Sequence, residues 1–513
     1  MTATLEEDLP RPQGLPLVLA TLAVASASFM NTLDTTIAIV ALPTISGNLS
    51  ATPSQGSWVI TSYAVCLAVI LPLSGWITRR FGQVHTFTAS VLLFTLTSWL
   101  CGMASSFNEL LLYRALQGFA GGLLLPLSQS LLMRLYPPDK HGRALAIWGL
   151  ATVVAPILGP ILGGYITDEW GWPWIFYINI PFGCACVYLS WTLLRPYESE
   201  RLRVPVDRVG LFLLLVGVIC FQLVLDRGHE LDWFSSTPIV VMLIVSVLFL
   251  LLFLAWERDE PYPMVDLKLF AYRNFLVGNI LIAIVYSIFM LTSVTFPIWL
   301  QTTQGYTASW SGLMMAPTGL GPLILMPLIG ERIRQWDARP VVCFGMCLMG
   351  FATYLHMQIS TDSPPWYFLL VRLCFGLAMP FAFMPVMVIA LVGLPAAKLA
   401  SATGIFNFAR MLAGSLGTAI GVTLWDERAI FHRSRLAENL SGDSPLYQQT
   451  MALLTARSGA PESALAAVEG AVQVQARTMA LNDLNYLCVA AILVAAALPW
   501  FLPPSTRPRE STQ

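Results

Sequence analysis

Asp34 is the residue of this chain whose position most needs a reason. It stands in Asn31-Thr32-Leu33-Asp34-Thr35-Thr36, inside an apolar run over 15–41. An ionisable side chain at mid-bilayer costs about 2.5–3.5 kcal/mol to insert. A carboxylate there stands between two opposed influences, since desolvation favours the neutral acid and a nearby guanidinium favours the ion. A group so balanced takes up and gives up a proton near neutral pH, and a bound organic cation competes for the same charge. Its candidate counter-charge is Arg114 in the run 108–133, followed by Gln117 and Gly118. The alternatives are a hydrogen-bonded packing Asp and an Arg that serves backbone carbonyls. Arg372 and Arg410 are the other basic residues inside apolar runs. Arg410 follows Asn407 by three, on the same helix face, and each Arg either lines a cavity or snorkels to the cytoplasmic rim. Asn31, Tyr63, Gln117, Phe289, Asn407 and Arg410 are the candidate lining of a substrate cavity that is otherwise apolar, pliable and methionine-containing.

These residues need helices that hold them in a membrane. Of 513 residues, 56% are hydrophobic and 11% charged, and the net charge is −1. Soluble domains run near 25% charged, so the chain lacks the surface for three or four such domains and the basic patch for nucleic acid. Apolar runs at about 15–41, 57–77, 84–104, 108–133, 143–165, 173–194, 209–225, 237–256, 275–300, 310–330, 340–360, 365–393, 400–425 and 484–503 predict an all-α, polytopic membrane protein with 14 transmembrane helices. An even number puts both termini on one side. Nineteen of the 28 Lys and Arg then fall in segments on that side, so both ends are expected in the cytoplasm. The acidic, polar start (Glu6, Glu7, Asp8) is a poor signal-peptide beginning, and span 1 is expected to be retained.

The spans repeat with an offset of eight. Pro72-Leu-Ser-Gly75 before Arg79-Arg80 matches Pro327-Leu-Ile-Gly330 before Arg332; Arg114 and Gly118 match Arg372 and Gly376; Gly159 and Gly163 match Gly417 and Gly421. Two six-helix halves with an inserted pair give 6 + 2 + 6, a transporter architecture. The expected divisions are a tail 1–14, a six-helix bundle 15–200, the inserted pair 201–265 (spans 7 and 8), a second bundle 266–503 that includes a loop 426–483 facing outside, and a tail 504–513. That loop is helical in pattern from Glu462 to Met479, either a solvent-exposed segment or a docking surface. Span 5 reads Gly159-Pro160-Ile-Leu-Gly163-Gly164; its small residues allow close helix approach and its prolines make it bendable, as a moving interface requires. The nine cysteines all fall inside apolar runs, and Cys343 and Cys347, four apart on one helix face, read as two small buried hydrophobes rather than a paired thiol site. No P-loop, HExxH or GxSxG stands in the chain, and the five His are scattered, so no catalytic or metal site is expected.

The run Leu33-Asp34-Thr35-Thr36 through Ala41-Leu42-Pro43, the Arg114–Gln117–Gly118 spacing and Gly159-Pro160 through Gly163-Gly164 resemble the major facilitator superfamily, and within it the 14-span drug:proton antiporters of the EmrB/QacA type. Leu225-Asp226-Arg227-Gly228 and Leu231-Asp232-Trp233-Phe234 between spans 7 and 8 place the likeness nearest the EmrB branch. One motif departs from the superfamily's Gly-x-x-x-Asp-Arg-x-Gly-Arg: here it is Gly75-Trp-Ile-Thr-Arg79-Arg80-Phe-Gly82-Gln83, with Arg79 at the acidic position. The resemblance implies a proton-coupled multidrug exporter with Asp34 and Arg114 as coupling residues, no cofactor beyond the proton gradient, and Gly75, Arg80, Gly82, Gly159, Pro160, Gly163 and Gly164 as conformational elements. It also implies a bacterial inner membrane and two partners, a periplasmic membrane-fusion adaptor (EmrA-like) and an outer-membrane channel (TolC-like), with loop 426–483 the first place to seek adaptor contact. The competing expectations are a carrier of one metabolite on the same fold and, from another class, a non-transporting receptor or a membrane enzyme.

Overall fold

The computed structural model describes residues 12–501 except 52, 57, 138–139, 203–204, 262, 334–335, 392–393, 396–397, 439, 441–443 and 459; the side chain of Pro160 and the tails 1–11 and 502–513 lie outside the described residues. Helices occur throughout and no strand among the described residues. Twelve helices are long and apolar enough to cross a membrane, and two bent pairs bring the number to 14.

The first bundle holds Leu15–Asn48 (span 1), Trp58–Ile70 with Ser74–Phe81 (span 2), Gln83–Gly102 (span 3), Phe107–Leu135 (span 4), His141–Trp170 (span 5) and Trp174–Tyr197 (span 6). Span 2 bends by 62° at the break that contains Pro72, where a missing N–H interrupts the helical ladder. Arg208–Arg227 and Thr237–Asp259 are spans 7 and 8. The second bundle holds Arg273–Thr302, Trp310–Arg332, Ala338–Met357, Pro365–Leu391, Leu399–Glu438 and Pro461–Ala497, spans 9 to 14. Local sequence fixes several starts. Ser106 accepts from the Glu109 N–H while the Glu109 carboxylate takes the Ser105 N–H, and Asp207 takes the N–H groups of Val209 and Gly210.

The repeat is a repeat of contacts. A Cβ on Gly118 would run into the Tyr63 carbonyl of span 2, and one on Gly376 into the Thr318 carbonyl of span 10 at 2.5 Å. Gly163 lies against the Ile37 backbone of span 1, and Gly417 against Ser287 of span 9. In both halves the fourth helix therefore closes on the second, and the fifth on the first.

Links between spans fall on two faces. One carries Arg79, Arg80, Arg134, Arg195, Arg201, Arg332 and Arg339 and is called the basic face below; the other is the far face. The halves meet at the basic face. A Cβ on Gly75 would lie 2.7 Å from the Ser401 Cα, and one on Gly330 2.7 Å from the Gly142 carbonyl oxygen. Span 7 packs against span 2 of one half and span 13 of the other, while span 8 packs on span 7 and leaves Val241, Ile244, Leu248 and Leu251 exposed, a face suited to lipid.

Segment 426–483 differs from a loop. Span 13 continues as helix to Glu438, a short helix runs Pro445–Ser458, and span 14 starts at Pro461. Arg428 and His432 meet Asp483 at 2.6 and 2.7 Å, and Arg433 meets Glu469 at 2.5 Å, so the two long helices stay paired outside the apolar zone. Charge at 426–428 ends the apolar run without ending the helix, since Glu and Arg are good helix formers.

Candidate functional site

The Ser106 cap starts span 4 two turns before Arg114 and aims that side chain inward. Its Nη1 donates to Asp34 Oδ2 at 2.5 Å and to Gln117 Oε1 at 2.8 Å, and its Nε donates to the Val59 carbonyl of span 2 at 3.2 Å. The other Asp34 oxygen accepts from Gln117 Nε2 and from Asn179 Nδ2, each at 3.0 Å. Asn179, on span 6, also reaches Ser98 of span 3 at 3.0 Å. Tyr63 donates to Asn31 Oδ1 at 2.5 Å, and its ring lies 4.3 Å from the Arg114 guanidinium. Asp34, Arg114 and Gln117 are fully buried. Donors from spans 4 and 6 thus meet on the span 1 carboxylate, and spans 2 and 3 hold the donors in turn.

This arrangement is an ion pair held by neutral hydrogen-bond donors. Adding a proton to Asp34 removes the negative charge to which Arg114, Gln117 and Asn179 all point, so a single proton is felt by spans 1, 3, 4 and 6. Asn31, Tyr63 and Gln117 stand in this buried cluster, where Tyr63 bonds Asn31 and Gln117 bonds both members of the pair. Sequence reasoning missed Asn179 and Ser98; uncharged polar residues in a span carry no signal as strong as a charge.

The remaining cavity candidates lie elsewhere. Asn407 of span 13 donates to Gln129 Oε1 of span 4 at 2.8 Å, a bond between the halves. Arg410, one turn further, is buried with its guanidinium 4.7 Å from the Tyr286 ring of span 9 and 5.3 Å from the Trp148 ring of span 5. Its Nε has no hydrogen-bond partner among the described residues, and no carboxylate pairs with it among them. Phe289 packs beside Tyr286 at 5.8 Å. Arg372 does not snorkel either: it is buried, donates to the Thr292 carbonyl at 2.9 Å and lies 4.1 Å from the Phe296 ring. It stands where Arg114 stands in the first half, with no acid in the place of Asp34. No group of three His, Cys, Asp or Glu is placed to hold a metal among the described residues.

At the basic face Gly75 allows the close contact with Ser401, and Arg80 lies 5.9 Å from the rings of Trp76 and Phe81. Gly82 has φ of +88°, a conformation that favours glycine, and a Cβ there would meet the Glu198 carboxylate. Glu198, just beyond span 6, accepts the N–H groups of Val84 and His85 at 2.9 and 2.8 Å and meets the His85 ring. An acid from another segment thus caps span 3 beside a motif whose own acidic position is Arg79. Burial pushes the Glu198 carboxyl up, but the His85 ring and the N–H groups of Val84, His85 and Ser199 pull further the other way, leaving it below the ordinary carboxylate range. Arg79 instead donates to the Pro263 carbonyl at 3.2 Å, tying the first bundle to the segment that follows span 8.

Span 5 packs on both halves. Gly159 and Gly163 do not face the other half; they bring span 5 against Thr36 and Ile37, beside Asp34, because no Cβ keeps the helices apart. Span 5 meets the other half at Gly142, against Gly330, and at Gly149, against Met326, and it also packs along Ala308–Met315 of span 10. Gly164 is half-buried on the same helix, and the helix bends by 51° between His141–Pro156 and Ile161–Trp170.

The sequence model of the Major Facilitator Superfamily matches residues 24–418. The multidrug export protein EmrB of Haemophilus influenzae is 41% identical over 498 residues, covering 96% of this chain and 97% of that one. The fatty acid resistance protein FarB of Neisseria gonorrhoeae is 39% identical over 497 residues, with 97% and 98% covered. Among solved structures, the human organic anion transporter MFSD10 superposes with a TM-score of 0.60 at 13% identity, covering 94% of this chain and all of that one, a likeness of fold.

Proposed function

From the premise that this chain belongs to the major facilitator superfamily, a family of transporters and not of enzymes, we propose that it is a proton-coupled exporter of hydrophobic and amphipathic toxic compounds. The observation that carries the reading is the buried Asp34–Arg114 pair with Gln117 and Asn179 on its second oxygen. In this reading the basic face is cytoplasmic, the membrane is a bacterial inner membrane, and the halves are closed on the cytoplasmic side by Gly75 against Ser401 and Gly142 against Gly330. A proton from the far side neutralises Asp34 as substrate leaves. Arg114 then loses its counter-charge, and the grip on spans 1, 3, 4 and 6 loosens. Opening toward the cytoplasm returns the proton there, and substrate loads.

The substrate meets the seam between the halves, where Arg410 presents a buried guanidinium between Trp148 and Tyr286. An apolar body stacks on such rings and an acidic group pairs with the guanidinium, which suits amphipathic acids among the compounds carried. EmrB exports multiple drugs and FarB confers fatty acid resistance, by their names, and both ranges fit that chemistry. The paired helices beyond Asp426 are the proposed seat of a periplasmic membrane-fusion adaptor that continues to an outer-membrane channel. Everted vesicles test the central reading. An imposed proton gradient, acid inside, should drive uptake of a fluorescent amphipathic dye, and Asp34→Asn should abolish the gradient dependence while the protein still elutes as a folded species. Uptake by Asp34→Asn equal to the parent overturns the assignment.

A further inference from the structure

A six-plus-six carrier has no need of spans 7 and 8, and span 7 carries a carboxylate that the cycle above leaves unused. Asp226 ends that span near the far face, where it lies between span 2 of one half and span 13 of the other. Its Oδ1 accepts from Gln222 Nε2 at 3.0 Å, and the same Nε2 reaches Ser415 Oγ of span 13 at 3.2 Å. Thr61 of span 2 is also hydrogen-bonded to the carboxylate. Two buried oxygens, Asp226 Oδ2 and Gln222 Oε1, have no hydrogen-bond partner among the described residues.

Charges around the site are committed elsewhere. The Arg227 guanidinium lies 5.1 Å from the Trp58 ring, and its Nε faces Glu230 at 3.0 Å. His229 pairs with Asp426 of span 13 at 3.0 Å, and Trp233 donates to Thr423 of the same helix at 2.8 Å. Span 8 has no titratable group before Glu257, at the opposite face; on span 2, Tyr63 is turned to Asn31, Cys66 stands further along, and Arg79 and Arg80 lie at the basic face. Glu230 adds only like charge. No cation pairs with Asp226 among the described residues, and a carboxylate in a span is expensive in that condition.

We infer that Asp226 is a second proton-binding carboxylate and that its proton governs how span 7 fastens the two halves together at the far face. Ionised, Asp226 accepts from Gln222 and Thr61, and Gln222 shares its donor with Ser415, so spans 2, 7 and 13 are linked. A proton arriving at Oδ2 from the far-face water turns that oxygen into a donor. The Gln222 carbonyl oxygen, which lacks a partner, is the acceptor within the pair. Rotation of the amide to receive it withdraws Nε2 from Ser415, and the polar link between span 7 and span 13 is lost. No covalent bond other than the O–H is made or broken. The rocking of the halves is taken from the reading above; proton binding at Asp226 does not depend on it.

Infrared difference spectra of the full chain in lipid, recorded between alkaline and acidic buffer, read the carboxyl C=O band directly. A band present in the parent and in Asp34→Asn, but lost in Asp226→Asn, is the expected result. A spectrum unchanged by Asp226→Asn overturns the proposal. In everted vesicles Asp226→Asn should retain gradient-driven uptake with a flattened dependence of initial rate on far-side pH, and Asp226→Glu should restore the parent profile. A parent pH profile in Asp226→Asn overturns the fastening role. Should parent vesicles show no gradient-driven uptake, the antiport reading falls, and the infrared band still decides whether Asp226 binds a proton.

Discussion

Breaking the Asp34–Arg114 pair from one side leaves a bare charge in a site with no exposure to solvent. Truncating one partner of a buried, hydrogen-bonded ion pair costs about 3–5 kcal/mol, chiefly through the charge left behind. Arg114→Met removes donors to Asp34, Gln117 and Val59 at 2.5, 2.8 and 3.2 Å and leaves the carboxylate with only Gln117 and Asn179. Asp34→Asn leaves the guanidinium with two neutral acceptors and the Tyr63 ring. At roughly 2–4 °C per kcal/mol for a bundle of this size, each single variant should lower the melting temperature by about 6–20 °C. The double variant has no charge to strand. It should therefore melt above the sum of the two single losses, with an interaction energy of about 1–3 kcal/mol. Tryptophan fluorescence of the detergent-solubilised protein during heating measures all four species. Strict additivity would show that the two residues do not act as one unit, and the coupling argument built on their contact would fail with it.

Gly75→Val places branched carbon against the Ser401 backbone and should shift the protein toward opening at the basic face, read as faster maleimide labelling of Ser401→Cys in the Gly75→Val protein than in Ser401→Cys alone. Glu198 has its carboxyl below the ordinary range, so its stabilisation is fully present above about pH 4.3, the unperturbed value, and fades as pH falls through the lowered one. Glu198→Gln should cost about 1–2 kcal/mol at neutral pH and nothing in strong acid, as pH-resolved melting will show. Arg410→Met should raise KM about tenfold or more for amphiphilic carboxylates, the loss of one charge-assisted hydrogen bond of about 1.5–3 kcal/mol. KM for cationic dyes should stay as it was.

The spans and the central pair were legible because charge is scarce in this chain. With 11% of residues charged, an Asp in one apolar run and an Arg in another stand out without any knowledge of their contact. Asn179 and Ser98, which complete the site, did not stand out, since amide and hydroxyl side chains in membrane helices serve packing as often as chemistry. Glu198 was hidden for the opposite reason: a carboxylate in a polar link looks ordinary until the fold sets it against the start of span 3. The span 5 glycines were read as a moving interface, yet the same small-residue pattern serves any close helix contact, and only the structure shows that the partner is span 1. Asp226 stood inside a motif used for resemblance, and its lack of a cation partner is a property of three helices rather than of one segment.

The 40-residue helix Leu399–Glu438 is about 60 Å long at 1.5 Å per residue, roughly twice the hydrocarbon thickness it crosses. Its outer part is pinned to span 14 by Arg428, His432 and Asp483, so it moves as an extension of the second bundle. Such an arm is a lever. For each degree by which that bundle tilts, a point ~30 Å beyond the pivot travels about 0.5 Å sideways, by the geometry of a rigid rod of that rise. A body resting on the tip registers each half-cycle as a lateral displacement, without any chemical signal leaving the membrane.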